Sequence, residues 1–540
     1  MKRTSSRYYS FVYACLYILT LMTGSAFAEY NESKLYQNLP FAMPQVKTPA
    51  IPNYNVNLTE FDGKGDGLFD NTQAFKRAIE ALAENLGGRL IVPRGIWRTG
   101  PIQLKSHIEL HLEAGALIKF LPDPNLYSLI QTSYEGLDGV RLMSPIHAHN
   151  LTDIAITGSG VIDGSGDAWR PVKRSKMTDN QWQKLLASGG VLSDNQKVWY
   201  PSKSYKAGEI QKKQYDIFKY NLSQARQIKD WYRPVMVSIA NSQNILLDGP
   251  TFQNSPAWNI HLLKSKHIIV RNLTVRNPWY SQNGDGLDLE SVKNVLVYNN
   301  TFDVGDDAIC IKSGKNEDGR KRAMPSENLV IKNNTVYHAH GGFVVGSEMS
   351  GGVKNVLFAD ASFIGTDIGI RFKSTRGRGG VVEKIWIENV DMTDIVKESV
   401  SFNMYYGIKE KASENSAPPV DETTPQFKDI SIKHIRSINA GSALLVQGLP
   451  ELKLAGVNVS DTYFSAQKGI EINFAEGINF NRVELDTQAP HAVIIKQASD
   501  VNFQAVTLSN SKNVLIDKQT TSKLTFDKDF LKHAIVESSF

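Results

Sequence analysis

The chain has 540 residues, 41% hydrophobic and 21% charged, with a net charge of +5, 40 glycines, 21 prolines and two cysteines. This composition excludes a wholly disordered chain, a coiled coil and a collagen-like fibre. Two cysteines exclude a disulfide-stapled scaffold and a multi-cysteine zinc site, while the basic balance leaves nucleic acid, a membrane surface or an acidic polymer as partner.

Lys2, Arg3 and Arg7 precede an apolar run from Phe11 to Met22 and the small-residue site Ala26-Phe27-Ala28. That order predicts a secretory signal peptide over residues 1–28, because the run is short for a membrane span. Cleavage removes Cys15, leaves Cys310 as the sole thiol and lowers the net charge to about +2. The expected mature chain, 29–540, has no run of about 20 apolar residues, so no membrane association is expected of it. No zinc-finger, phosphate-loop or nucleic-acid motif is present, and no nucleic-acid partner is expected. A monomer is expected, periplasmic or extracellular.

Residues 29–58 are polar and proline-rich and read as a surface arm. Asp70-Asn71-Thr72 starts a helix with Phe75, Ala78, Ile79 and Leu82 on one face, and Gly87-Gly88 ends it. Short apolar strands follow: Asn244-Ile245-Leu246-Leu247, His267-Ile268-Ile269-Val270, Asn294-Val295-Leu296-Val297, Asn328-Leu329-Val330-Ile331, Asn355-Val356-Leu357-Phe358 and Lys384-Ile385-Trp386-Ile387. Later ones begin near Ile430, Leu454, Ile478 and Val501. Many successive members lie about 23 to 27 residues apart, a solenoid period. The prediction is all-β: a single right-handed parallel β-helix with an N-terminal capping helix near 71–86. A long insertion at about 165–235 interrupts it, with helical potential at 179–188 and 210–228.

Taking Val295, Leu329 and Val356 as equivalent places Ile309 and Ile311 level with Phe343 and Val345, and with Ile370 and Phe372. All six are apolar, as inward strand positions require. The alternate residues Cys310, Lys312, Val344, Gly346, Arg371 and Lys373 then point outward. Extending the register to Leu287 and Leu289 stacks Asp285 on Asp307, and Asp306 on His340. Coils lie about 4.8 Å apart, so Asp285, Asp306, Asp307 and His340 converge on one face, with Arg371 and Lys373 on an adjacent coil. Asp306 and Asp307 both reach that face only if the chain bends at Gly305.

Carboxylates this close raise the pKa of at least one of them. A protonated carboxyl beside an ionised one is what glycoside hydrolysis needs. Two cations on alternate residues of one strand suit a carboxylate. The combination points to hydrolysis of a uronic-acid polymer. The bland alternative, Asn and Asp filling β-helix turns as ladders, explains a lone Asp better than it explains the cluster.

Asn283-Gly284-Asp285-Gly286, Gly305-Asp306-Asp307, His340-Gly341-Gly342 with Gly346-Ser347-Glu348, and Arg371-Phe372-Lys373 resemble the four signature blocks of the family 28 glycoside hydrolases, the polygalacturonases. The resemblance runs from about Asn53 to about Tyr406. It implies a right-handed parallel β-helix that hydrolyses α-1,4-galacturonan or its oligomers with inversion, without metal or other cofactor. It implies Asp306 as general acid, Asp285 and Asp307 as the residues activating water, and His340 as support for the acid's proton state. Arg371 and Lys373 would bind a substrate carboxylate, and Asn283 and Tyr405 are further candidate substrate contacts. Tyr405 or Tyr406 either stacks on sugar or packs on the core. The family's usual Asn-Thr-Asp is Asn-Gly-Asp here, and the His block carries an extra Gly. The stretch from His340 to Gly352, with Ser374-Thr375-Arg376-Gly377-Arg378, resembles the bacterial branch that contains exo-acting enzymes.

The insertion carries Trp169, Trp182, Trp199, Tyr200, Trp231 and Tyr232. It either walls one end of the groove, giving exo action, or is a packed surface subdomain. His261, His267 and His434 fall among strand anchors and read as structural. Cys310 has no basic partner to activate it. Competing functions are rhamnogalacturonan hydrolysis, a Ca²⁺-dependent pectate lyase on the same architecture, and a non-catalytic polysaccharide-binding β-helix.

Overall fold

The computed structural model describes residues 32–407 and 417–539. The expected signal peptide, with Cys15, lies outside the described residues. The chain divides into two compact units, Met1–Leu39 and Pro40–Phe540. The described part of the first holds one 3₁₀ turn, Glu32–Tyr36.

The second unit is a parallel β-helix, as the repeat predicts. Each full coil contributes three short strands, and each strand pairs in parallel with its equivalent in the next coil. Lys293–Tyr298, for example, lies between Lys266–Arg271 and Ser326–Lys332. Parallel strands joined by such crossovers wind right-handed. The strands of the face that carries the site are β1 (Ile260–Leu263), β2 (Leu287–Glu290), β3 (Ile309–Lys312), β4 (Phe343–Val345), β5 (Ile370–Lys373) and β6 (Glu398–Asn403). Leu287 pairs with Ile309, Ile309 with Phe343, and Phe343 with Ile370, which is the predicted register.

The residue that opens each repeat sits at a corner. Asn244, His267, Asn294, Asn328, Asn355, Lys384 and Asp429 all have φ between +54° and +60°. Asn and Asp tolerate this left-handed region better than other side-chain-bearing residues. Their side chains also link coils: Asn328 Nδ2 donates to Asn294 Oδ1 and Asn355 Nδ2 to Asn328 Oδ1, both at 3.0 Å. Inside, like packs on like along the axis. The Phe372 and Phe402 rings stack at 4.6 Å, and Phe343 meets Phe358 at 4.5 Å.

Helix α1 (Thr72–Glu84) covers the first coil with Phe75, Ala78, Ile79 and Leu82 buried against the core. Asn71 does not cap it by side chain; its buried amide instead donates to the Lys64, Phe69 and Arg98 carbonyls. From Pro40 onward the polar arm is laid along the solenoid: Phe41 packs on Trp386, the Ala50 N–H donates to Asp153, and Asn55–Asn57 pairs with the first coil.

Two expectations need correction, and one feature was not foreseen. The stretch 210–228 is not one helix. The insertion has α2 (Asp179–Ala187), as expected, then α3 (Lys203–Gln211) and α4 (Leu222–Gln227), with a turn between the last two. The repeat placed near Leu454 has Val457, not Leu454, level with Ile430. A second excursion went unseen: Leu129–Tyr134 and Leu137–Leu142 form an antiparallel hairpin off the coil. Its Val140 and Leu142 pack with Trp169, Ile228 and Tyr232 of the insertion. Trp182 and Trp199 form a further small core with Val172. The insertion is therefore a packed body, which leaves its effect on the groove as a separate question.

Candidate active site

The chain bends at Gly305 and Asp306, immediately before β3. A Cβ on Gly305 would collide with Ser281 Oγ and the Pro278 carbonyl. Ser281 Oγ also crowds Gly284, so a side chain at that position of the Asn283-Gly284-Asp285 block has no room. The bend turns both neighbouring acids to one side. One oxygen from each of Asp285, Asp306 and Asp307 lies within 4.8 Å of the others. Asp285 and Asp307 are buried, and Asp306 is partly exposed.

The three carboxyls differ in what faces them. Burial would raise the Asp307 pKa, but Lys373 and then Arg371 outweigh it and hold the value at about 2. Lys373 Nζ donates to Asp307 Oδ2 at 2.7 Å, and Arg371 Nη1 stands 3.7 Å from Oδ1. Burial and the Asp307 charge push Asp306 up, against the opposing fields of Lys373 and His340. Asp285 goes well above the usual carboxylate range, through burial and then Asp306 and Asp288. The site thus holds one firmly ionised carboxylate beside two that favour a proton. Asp285 Oδ1, Asp307 Oδ1 and Arg371 Nη1 are buried and make no hydrogen bond within the protein. They are free to meet a water or a substrate oxygen.

His340 stacks on Asp306 as predicted, its N–H donating to the Asp306 carbonyl at 2.9 Å. Its ring is engaged elsewhere, with Nδ1 2.7 Å from Asp367 Oδ2. Lys373 hydrogen-bonds Asp307, whereas Arg371 meets it only across 3.7 Å without a hydrogen bond, so of the two cations Arg371 is the better placed to turn to a substrate carboxylate. Asn283 accepts from Arg233 at 2.8 Å. Tyr405 packs against the core, with Arg376 over its ring, whereas it is Tyr406 that lies near the cation pair, 5.0 Å from Lys373 Nζ and 5.5 Å from Arg371. The outward positions of β3 to β5 keep the predicted register, yet Cys310, Lys312, Val344 and Lys373 are buried. Burial raises the Cys310 thiol well above its usual range, so it is no nucleophile.

Several residues that sequence reasoning passed over support the cluster. Lys312 Nζ lies 3.2 Å from Asp288, 3.8 Å from Glu348, 3.9 Å from Asp285 and 3.9 Å from the Trp258 ring. Burial opposes its charge, but Asp288 and its other acidic neighbours hold its pKa above the lysine range. Burial takes Asp288 up to about 6 against Lys312 and His261. Arg233 is buried and has no carboxylate partner among the described residues. It donates to the Pro256 and Gln282 carbonyls and to Asn283, tying the end of the insertion to the loop that carries Asp285. His261, read as structural, pairs with Glu290 at 2.8 Å, and Arg322 reaches the other oxygen at 2.6 Å. Outward strand register was the available signal for Lys312, Asp288 and Glu290. Arg233 had none, because its contact crosses between remote segments.

Comparison with known proteins places this geometry in a family. The model of the glycosyl hydrolases family 28 matches residues 214–473. The solved structure of a hyperthermoactive exopolygalacturonase from Thermotoga maritima is 31% identical and covers 84% of this chain and 94% of its own, with a TM-score of 0.68. The exo-poly-alpha-D-galacturonosidase of Dickeya chrysanthemi is 27% identical over 88% of this chain and 76% of its own length. A family 28 exopolygalacturonase of Yersinia enterocolitica, at 22% identity and a TM-score of 0.61, shares the fold. With its parallel β-helix and its signature blocks converging on three carboxyls, the chain belongs to glycosyl hydrolase family 28 and is a glycoside hydrolase.

Proposed function

We propose that this protein is a polygalacturonase that removes residues from the end of galacturonan or oligogalacturonide chains, with inversion, after export to the periplasm or beyond. The observation that carries the reading is the carboxyl trio beside Arg371, one member ionised and two disposed to hold a proton. Asp306, partly exposed and raised, gives its proton to the glycosidic oxygen. Asp307, ionised, takes the proton of the attacking water, and Asp285 holds that water in place. Lys373 keeps Asp307 ionised and in place, and Arg371 takes a galacturonate carboxylate. His340, carried on the coil above Asp306, adds to the field on the acid. The exo relatives from Thermotoga and Dickeya support end-wise attack.

The closeness of the carboxyls favours a second reading, a retaining reaction, because retaining pairs stand nearer than inverting ones. The anomeric configuration of the first product, read by NMR on trigalacturonate, decides between them. Digestion of long polygalacturonate tests the rest. Monomer or dimer released from the outset, insensitive to chelator and without ultraviolet-absorbing product, is the expected result. Early mid-length oligomers would overturn exo action, and an unsaturated product would overturn hydrolysis.

A further inference from the structure

A cavity of about 700 Å³ opens beside Gly305 and His340, and Lys176, Arg276, Trp279 and Val396 also line it. Its size is that of a small-molecule site, and none of the three acids, Arg371 or Lys373 lines it. Trp279 is 55% exposed although the turn that presents it is firmly built. Buried Asn277 accepts from the Ser255 N–H at 2.8 Å and donates to the Gly284 carbonyl at 3.0 Å, and Ser281 Oγ donates to the Pro278 carbonyl at 2.6 Å. The indole is thus held out to solvent on a rigid support. Lys176, supplied by the insertion, places its amine 5.1 Å from the ring centroid.

The charges around the cavity are unevenly matched. Its two acids are each engaged by a histidine, Asp303 by His338 at 3.3 Å and Asp367 by His340 at 2.7 Å. Among the described residues, Lys176 and Arg276 have no ion-pair partner. An exposed indole face flanked by two unpaired cations fits the apolar face of a sugar ring that bears a carboxylate. Gly305 precedes Asp306 in the chain and His340 stacks on it, so the cavity mouth adjoins the acid.

We propose that this cavity is a uronate subsite one ring beyond the reacting pair, with Trp279 as platform and Lys176 and Arg276 as carboxylate receptors. This rests on the galacturonan reading above. The test uses the full chain and defined oligogalacturonides of two to six residues. Trp279→Ala, and Lys176→Gln with Arg276→Gln, should each raise KM about tenfold on the trimer and longer chains, with kcat and all digalacturonate constants unchanged. Trp279→Phe should recover most of the loss. On a trimer methyl-esterified only at the ring beyond the reacting pair, the double charge variant should match the wild type while Trp279→Ala stays impaired. Variants equal to the wild type at every length, or impaired equally on dimer and hexamer, would overturn the subsite. A wild type that leaves every oligogalacturonide intact would instead overturn the reading beneath it.

Discussion

The two ends of the segment from Asp285 to Glu290 place carboxyls in equal burial with opposite outcomes. Asp285 meets Asp306 and Asp288, and its pKa rises well above the ordinary range. Glu290 meets His261 and Arg322, and its pKa falls to about 2 in spite of burial. Burial alone therefore does not mark a catalytic acid. What separates the two is whether the neighbours carry the same or the opposite charge. The balanced group ties the hairpin and the helix Asn316–Arg322 to the solenoid, since Arg322 also bonds Asp138 and Ser133. At the unbalanced end burial, and then like charge, raises both Asp285 and Asp306, and the acid step proposed for Asp306 rests on that rise.

The comparison breaks most visibly at the acid. Asp306→Asn should lower kcat about 10²- to 10⁴-fold without shifting the thermal midpoint downward, because it removes repulsion. A normal kcat in that variant would refute the assignment. At the balanced end, Arg322→Met should do the converse. It leaves Glu290 short of one partner and should cost about 3 kcal/mol of stability, read from the urea midpoint, with kcat little changed. Arg233→Lys sits between the two, keeping charge but losing the fork that grips Asn283, Gln282 and Pro256. It should lower kcat about tenfold with KM nearly constant and folding intact. An unchanged kcat would remove Arg233 from any positioning role.

The pH dependence of stability is the most diagnostic of sign. The folded pKa of Glu290, about 2, lies below its ordinary 4.5, so the unfolded chain binds more protons between these values. Stability from Glu290 is therefore complete above pH 4.5 and is lost as pH falls toward 2. Asp288, at about 6 against an ordinary 3.8, works the other way, and its contribution declines as pH rises from 3.8 to 6. Urea titrations across pH should show the first slope flattened by Glu290→Gln and the second by Asp288→Asn. Matching slopes in both variants and wild type would mean that neither group titrates as its surroundings dictate.

Much of this was legible without coordinates. The left-handed corner at each repeat selects Asn, so the Asn before each apolar strand is a direct trace of backbone geometry. Because every coil repeats that geometry, one alignment placed Asp285 over Asp307 and Asp306 over His340. Local spacing was less informative in the insertion, where aromatic residues pack on a remote hairpin and no period exists to extend. The same limit explains Tyr405 and Tyr406. Adjacent residues in a turn point in different directions, and composition does not say which one faces Arg371.

Sequence by itself determined the solenoid, its register and the convergence of three carboxyls, because in a repeating coil neighbours in space are periodic in sequence. Only the tertiary structure decided how the charges divide. Lys373 belongs to Asp307, His340 to Asp367, Arg233 to Asn283, and Lys312 to a buried carboxylate group behind the site. Those pairings depend on side-chain direction and on contacts between separate segments, and no period in the chain records either.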